Sequence, residues 1–120
     1  MKPEFKPGNN IAMKVPTHEF DQTVHFYGDV LGLERDQTAE QTAPGACCFK
    51  FGDKTLWIDS VATISQAEIW LEIIADDIEA AAQYLQQHNC VRRDEIEPLP
   101  DGFKGFWVSN PANIIHLVSD

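Results

Sequence analysis

The sequence has few basic residues, few cysteines and no long apolar run, and each shortage excludes a class of protein. Nine Lys and Arg stand against 19 Asp and Glu, which gives a formal net charge of −10. Nucleic acids and anionic lipid surfaces are bound by positive surfaces, so neither is an expected partner. No stretch is apolar enough to cross a bilayer, and residues 1–10 lack the apolar run of a secretory signal. The expected location is therefore the cytoplasm.

The acidic surplus and the three cysteines each have two interpretations. A surplus of acids favours a solvated surface that keeps the protein in solution, with binding of a cationic ligand as the alternative. Cys47 and Cys48 are neighbours in a predicted strand, where adjacent side chains point to opposite faces, so they are not expected to bond to each other. Reduced thiols that pack as small apolar groups are favoured over a redox or nucleophilic role.

Apolar periodicity predicts two helices. Thr17 is the expected cap of the first helix and Gly32 its stop, whereas Asp76 or Asp77 caps the second and Asn89 ends it. The apolar stripes are Phe20, Val24, Tyr27 and Leu31 in the first helix and Ile78, Ala81, Ala82 and Leu85 in the second. These stripes predict that each helix covers one face of a sheet.

Strands are predicted around the two helices, after an irregular lead-in at residues 1–10. Their ranges are 10–15, 33–37, 46–51, 55–61, 69–75, 91–96, 102–109 and 114–118, with turns at 52–53 and 110–113. The element order is βαβββ repeated, which indicates an internal duplication with halves at 10–62 and 67–119. We therefore predict one α+β domain over residues 1–120, in which two βαβββ modules form a curved mixed sheet around a cleft.

Three segments resemble motifs of a known family. Residues 25–34 (HFYGDVLGLE) are similar to the "FY-x-D-x-LGL" stretch that closes the first helix of vicinal-oxygen-chelate proteins. Residues 106–117 (FWVSNPANIIHL) resemble the "F-x-DP-x-GN-x-IEL" hairpin of that family, and residues 76–81 resemble the start of its second helix. With the duplicated order, the resemblance covers nearly the whole chain. The superfamily includes glyoxalases, bleomycin-resistance proteins and extradiol dioxygenases.

In metal-dependent branches of this superfamily, four strands each supply one ligand, typically His, Glu or Gln. The resemblance places these positions at Ala12, at Trp57 or Asp59, at Trp70 or Glu72, and at His116. Alanine cannot ligate, so the set is incomplete.

The bleomycin-resistance branch, which lacks metal ligands, is a better match. Residues 110–117 resemble its "DPAGN-x-VHF" ending, with His116 at the histidine, and residues 55–61 resemble its "TLF-I-S-A-V" strand. The glycine that precedes the asparagine in the family is missing before Asn113, so this turn is shorter by one residue.

The resemblance implies a homodimer that binds a small molecule without a metal or other cofactor, and the tryptophans and acidic residues favour a cationic or aromatic ligand. No catalytic residue is assigned. The expected ligand-binding residues are Trp57, Trp70, Glu72, Trp107 and His116. Ordinary core or dimer packing is the alternative for each tryptophan, and a structural hydrogen bond is the alternative for His116. If Ile115 and Leu117 pack on a helix, strand alternation turns His116 toward the cleft.

Two other functions stay open. One is a metal-dependent lyase, isomerase or dioxygenase in which Asp59, Glu72 and His116 hold Zn, Ni, Mn or Fe. The other is a domain that mainly dimerises. Motifs for nucleophilic hydrolysis, phosphate binding and zinc knuckles are missing from the sequence.

Overall fold

A computed structural model describes residues 2–120 of the chain. Its elements are β1 (Phe5–Pro16), α1 (Phe20–His25), α2 (Gln37–Glu40), β2 (Cys47–Phe51), β3 (Lys54–Val61), β4 (Glu68–Ala75), α3 (Ile78–Gln87), β5 (Val91–Arg92), β6 (Gly105–Ser109) and β7 (Ile115–Ser119). Parallel and antiparallel pairs occur together, so the predicted α+β class with mixed sheet is confirmed. No helix within residues 2–120 has the length and hydrophobicity that a membrane crossing requires.

The chain divides into two compact units. The N-terminal unit is Asn9–Ile69, and the C-terminal unit is Trp70–Asp120 together with residues 2–8. Residues 5–8 of β1 therefore belong to the C-terminal unit, and the rest of that strand belongs to the N-terminal unit.

In the N-terminal unit, β3 is the central strand. It pairs in parallel with β1 and antiparallel with β2, to which the turn at Gly52 connects it. Gly52 has φ 66°, a left-handed conformation that glycine adopts without steric cost. The buried core of this unit is Val15, Cys47, Phe49, Leu56 and Ile58, against which Phe20, Val24 and Tyr27 pack. The first helical segment thus covers one face of this sheet, and we call the opposite face its helix-free face.

The C-terminal unit has the strand order β4-β7-β6-β5. Its core is Ala75, Ala81, Phe106, Val108 and Val118, against which Ile78, Ala82 and Leu85 of α3 pack. Asp77 caps α3 as predicted, because its Oδ1 accepts a hydrogen bond from the Ala80 N–H at 3.0 Å. Asn89, the predicted stop, has φ 63°. Here too the helix covers one face of the sheet and leaves a helix-free face.

Several predicted boundaries are wrong. Residues 5–10, expected to be irregular, belong to β1, and the strand predicted at 91–96 is limited to Val91–Arg92. The strand predicted at 33–37 is reduced to a single bridge between Arg35 and Phe49. The chain turns into α2 at this point because Asp36 caps that helix, accepting from the Ala39 N–H at 3.0 Å.

The first helical segment is not one regular α-helix. A 3₁₀ turn at Thr17–Glu19 precedes α1, and a π-helical turn at Phe26–Val30 follows it. Thr17 is not the cap; its hydroxyl accepts a hydrogen bond from Ser60. The wide π turn rotates Leu31 off the apolar stripe, so that side chain is 51% exposed. Gly32, with φ 72°, ends the segment as predicted.

The cysteines are free thiols. Burial raises the pKa of the Cys48 thiol to about 12 and also raises the pKa of Cys47. A raised pKa keeps a thiol protonated and unreactive near neutral pH. The packing role expected for Cys47 and Cys48 therefore agrees with their surroundings.

Glu40 joins α2 to the start of β2, and we predict that its charge stabilises the N-terminal unit. Its Oε2 accepts from Arg35 Nε at 2.7 Å and from the Cys48 N–H at 2.8 Å. The hydrogen bond from Arg35 is the largest cause that lowers the pKa of Glu40 below its ordinary value of 4.5. Glu40→Gln should lower the free energy of unfolding at pH 7 by about 1–2 kcal/mol.

The pH dependence of this effect has a definite sign. A depressed folded-state pKa means that the stabilisation is present above pH 4.5 and is lost as the pH falls through the folded pKa. Urea unfolding measured from pH 7 to pH 3 should therefore show that the difference in free energy of unfolding between wild type and Glu40→Gln becomes smaller at low pH. Glu34→Gln is the matched control, because Glu34 is 73% exposed and an exposed ion pair contributes little. A gap that stays constant with pH would contradict the prediction.

Candidate functional site

The sheet register decides which of the expected site residues share a face. In the N-terminal unit, Ala12 pairs with Trp57 and Lys14 pairs with Asp59, whereas Met13 pairs with Ile58 in the core. Paired residues lie on the same side of a sheet, and successive residues alternate. The helix-free face therefore carries Asn10, Ala12, Lys14, Cys48, Lys50, Thr55, Trp57 and Asp59. Of the expected residues, Trp57 and Asp59 come together here.

A buried ion pair lies on this face. Lys14 Nζ is 2.9 Å from Asp59 Oδ2, and the two side chains are 6% and 30% exposed. A lysine that is almost fully buried is unusual unless it is paired. The Asp59 carboxylate is thus the member of the pair that solvent or a ligand can contact. The sequence analysis did not single out Lys14. It could have been found because Lys14 follows Ala12 by two residues in the predicted first strand, which puts both side chains on the same face.

Trp57 is held beside this pair. Its indole Nε1 donates to Asn10 Oδ1 at 2.8 Å, and across the sheet it is flanked by Ala12 on β1 and Cys48 on β2. Both flanking side chains are small. The indole is partly exposed, and its hydrogen bond fixes its orientation. This residue is therefore a preorganised aromatic surface.

In the C-terminal unit, Trp70 and Trp107 lie on the helix-free face and contact each other. Their ring centroids are 5.3 Å apart at an interplanar angle of 69°, an edge-to-face pair. Trp107 Nε1 also donates to the Glu97 carbonyl at 2.9 Å. The two residues are only 8% and 6% exposed. The geometry is that of core packing, the alternative considered for each tryptophan; their role as ligand contacts stays a prediction.

The expectation that His116 faces the cleft is wrong. His116 pairs with Leu71 on β4 and with Val108 on β6, and Val108 belongs to the core under α3. Leu117 pairs with Glu72 and Trp107, so Leu117 is on the helix-free face and His116 is on the other. The Nδ1 of His116 donates to the Ile114 carbonyl at 3.0 Å, since a carbonyl only accepts.

The shortened turn explains this orientation. Asn110 Oδ1 accepts from the N–H groups of Ala112 and Ile114, each at 2.9 Å, and Asn113 takes a left-handed conformation with φ 63°. This compact turn pairs Ser109 with Ile115. A change of one residue in register moves every following side chain to the other face. Leu117 therefore takes the position expected for His116.

The residues present do not fit a metal ion of the kind that the fold family implies. Glu72 and His116 lie on opposite faces of one sheet, so the alternative ligand set of Asp59, Glu72 and His116 is not formed. Within residues 2–120, no group of three or more His, Cys, Asp and Glu is placed to hold a metal. The resemblance pointed to Ala12, which cannot ligate, to Trp57 or Asp59, to Trp70 or Glu72, and to His116; the first three positions lie on the helix-free faces, whereas Leu117 replaces His116 there.

Glu72 lies against Gly8, and we predict that this contact requires glycine. A Cβ at Gly8 would fall 2.5 Å from Glu72 Cγ and 2.7 Å from its Cδ. Gly8→Ala should lower the free energy of unfolding by about 1–3 kcal/mol, because the glutamate side chain has to be displaced. Chemical denaturation measures this loss. Adding Glu72→Ala should restore most of the stability, and a double variant as unstable as Gly8→Ala would contradict the assigned clash.

A concavity of about 700 Å³ in the C-terminal unit involves other residues. It is lined by Lys2, Pro3, Glu4, Phe5, Lys6, Ile74, Ala75, Asp76 and Asp120. None of the expected binding residues lines it. Its charged side chains have both signs, so it does not indicate one class of ligand.

Comparison with solved structures identifies the fold. The chain is similar to the Mn(II)-bound glyoxalase from Novosphingobium aromaticivorans, with 19% identity and a TM-score of 0.66 over 98% of this chain and 39% of that one. Homoprotocatechuate 2,3-dioxygenase from Brevibacterium fuscum matches with 16% identity and a TM-score of 0.61, over 98% and 33%. The enzyme from Arthrobacter globiformis matches with 17% identity and a TM-score of 0.61, over 98% and 37%. No protein-family model and no curated protein matches the sequence.

These matches define the fold of the chain. A glyoxalase and extradiol dioxygenases share the fold of the vicinal-oxygen-chelate superfamily, so the chain has that fold and the predicted resemblance is confirmed at this level. The chain spans 33% to 39% of the matched chains cited above. Identities of 16% to 19% support the architecture and leave the chemistry to be argued from the residues.

Proposed function

We propose that this chain binds a small organic molecule on its helix-free faces without a metal ion, as bleomycin-resistance proteins do. One observation carries the proposal. Of the four positions where the resemblance places metal ligands, the first carries Ala12 and the last puts Leu117 on the helix-free face, while the other two offer a tryptophan beside one carboxylate, Trp57 with Asp59 and Trp70 with Glu72. Aromatic and aliphatic side chains suit contact with an organic ligand, and none of them coordinates a metal.

The ligand that we propose is aromatic or cationic. Trp57 supplies a partly exposed ring of fixed orientation, and Glu72 shares a face with Trp70 and Trp107. The net charge of −10 attracts cations over long range. Stacking of a cation on an indole contributes about 0.5–2 kcal/mol. His116 is left out of the proposed site because it lies on the other face.

The location and assembly that we propose are the cytoplasm and a homodimer. The free thiols of Cys47, Cys48 and Cys90 suit a reducing compartment. Light scattering of the purified protein tests the dimer directly. A mass equal to one 13.5 kDa chain at all concentrations would remove the dimer from the proposal.

The first experiment measures metal content. Protein purified without chelator is loaded with Zn, Ni, Mn or Fe, desalted and analysed for retained metal. We expect no stoichiometric retention, and His116→Ala should behave like wild type. A stoichiometric metal that survives desalting would instead support the metal-dependent lyase, isomerase or dioxygenase.

The second experiment measures ligand binding by tryptophan fluorescence and by thermal stabilisation, using a library of aromatic and cationic compounds. Binding should change the fluorescence of wild type and raise its melting temperature. In Trp57→Phe the fluorescence change should be smaller. If no compound stabilises the protein, the alternative function, a domain that mainly dimerises, becomes the better proposal for this chain.

A further inference from the structure

The ion pair in the N-terminal unit indicates which ligand group is recognised. We infer that Asp59, held by Lys14 beside Trp57, accepts hydrogen bonds from an amidinium or ammonium group carried by an aromatic ligand. The inference rests on the proposed function, because it assumes that a small molecule binds on this face.

Burial determines which member of the pair meets the ligand. The Lys14 side chain is 6% exposed, whereas the Asp59 side chain is 30% exposed. Lys14 Nζ contacts Asp59 through Oδ2 at 2.9 Å, which leaves Oδ1 as an acceptor for a ligand donor. A ligand anion meets the carboxylate before it can reach the buried ammonium, and an anion supplies no donor for Oδ1. The face therefore selects donors over acceptors.

Lys14 acts as a positioning residue in this arrangement. An exposed aspartate samples several rotamers, and its ordering on binding costs free energy. The contact with the buried ammonium of Lys14 holds the Asp59 carboxylate in one orientation before the ligand arrives. Such preorganisation lowers the conformational entropy that binding would otherwise cost.

The spacing of Trp57 and Asp59 sets the size of the ligand. They are two residues apart on β3 and share the helix-free face, so their Cα atoms are separated by about 7 Å. One aromatic ring stacked on the indole, with an amidinium attached directly to it, spans this distance. Trp57 is partly exposed, so part of its ring can be reached by a ligand.

Benzamidinium is a suitable probe because it combines the two groups. Benzamide and benzoate have the same ring with a neutral and an anionic substituent. We would titrate each into ¹⁵N-labelled protein and follow the indole N–H resonances of the three tryptophans. Trp57→Phe assigns one of them by its disappearance. Benzamidinium should shift the Trp57 resonance, benzamide should bind more weakly, and benzoate should leave that resonance unchanged.

Variants test the role of Asp59. Asp59→Asn should weaken benzamidinium binding at least about tenfold, because a hydrogen bond between charged groups is lost. Because this change removes the carboxylate charge beside the buried Lys14, the double variant Lys14→Met with Asp59→Asn is measured as well; it removes both charges of the ion pair and should fold. Asp53→Asn, in the exposed turn before β3 of the same unit, is the matched control and should bind like wild type.

The outcomes separate the inference from the proposed function. If other compounds shift the Trp57 resonance and benzamidinium does not, the recognition of a cationic donor by Asp59 is overturned and small-molecule binding stands. If the double variant binds benzamidinium as wild type does, Asp59 is not the acceptor. If no compound of the library shifts any indole resonance, both proposals fail.

Discussion

Asp59→Ala should lower the free energy of unfolding by about 3 kcal/mol, because it removes the carboxylate that lies 2.9 Å from the buried Lys14 ammonium. Lys14→Met should change stability by less than about 1 kcal/mol, since a methionine fills the same space and the remaining carboxylate is partly exposed. Urea denaturation of both variants measures this asymmetry.

The control for this prediction is the double variant Lys14→Met with Asp59→Ala. If the loss in Asp59→Ala comes from the broken ion pair with Lys14, removing the lysine as well should recover most of it. Equal losses in the two single variants would contradict the prediction. They would mean that the lysine side chain reaches water as easily as Asp59 does.

Phe49→Ala should cost about 3–5 kcal/mol, the range for an aromatic side chain removed from a packed core. Phe49 is 0% exposed, its ring centroid is 6.1 Å from that of Tyr27, and it packs beside Gly28. The loss combines the transfer free energy of the ring with the cavity that it leaves.

Phe51→Ala is the matched control, because Phe51 follows two residues later on the same face of β2 and is 46% exposed. We expect a loss of less than about 1 kcal/mol in denaturant unfolding. Equal losses for the two phenylalanines would show that Phe51 is covered in solution, for example by a second copy of the chain.

Local signals predicted the elements whose residues interact with near neighbours. The stripe of Ile78, Ala81, Ala82 and Leu85 packs on the core as expected, and Asp77 caps α3. The Gly52 turn joins β2 to β3. These features depend on helix periodicity, capping and turn conformation, which short sequence windows encode.

Local signals failed where a side chain had two possible partners. At residues 33–37, strand pairing competed with the capping of α2 by Asp36, and the cap prevailed. In the first helical segment, the π turn displaced Leu31 from the apolar stripe, and Leu33 packs on the core instead. The sequence pattern contained no signal for that wide turn.

The sequence by itself determined the architecture, because the duplicated order of apolar strands and amphipathic helices and the motifs at 25–34 and 106–117 point to one fold. Only the tertiary structure decided which residues the candidate site contains. The parallel pairing of β1 with β3 brings Lys14 to Asp59 across 45 positions of the chain, and the compact turn at 110–113 places Leu117 instead of His116 on the helix-free face. Both depend on strand register, in which a difference of one residue reverses the face of a side chain.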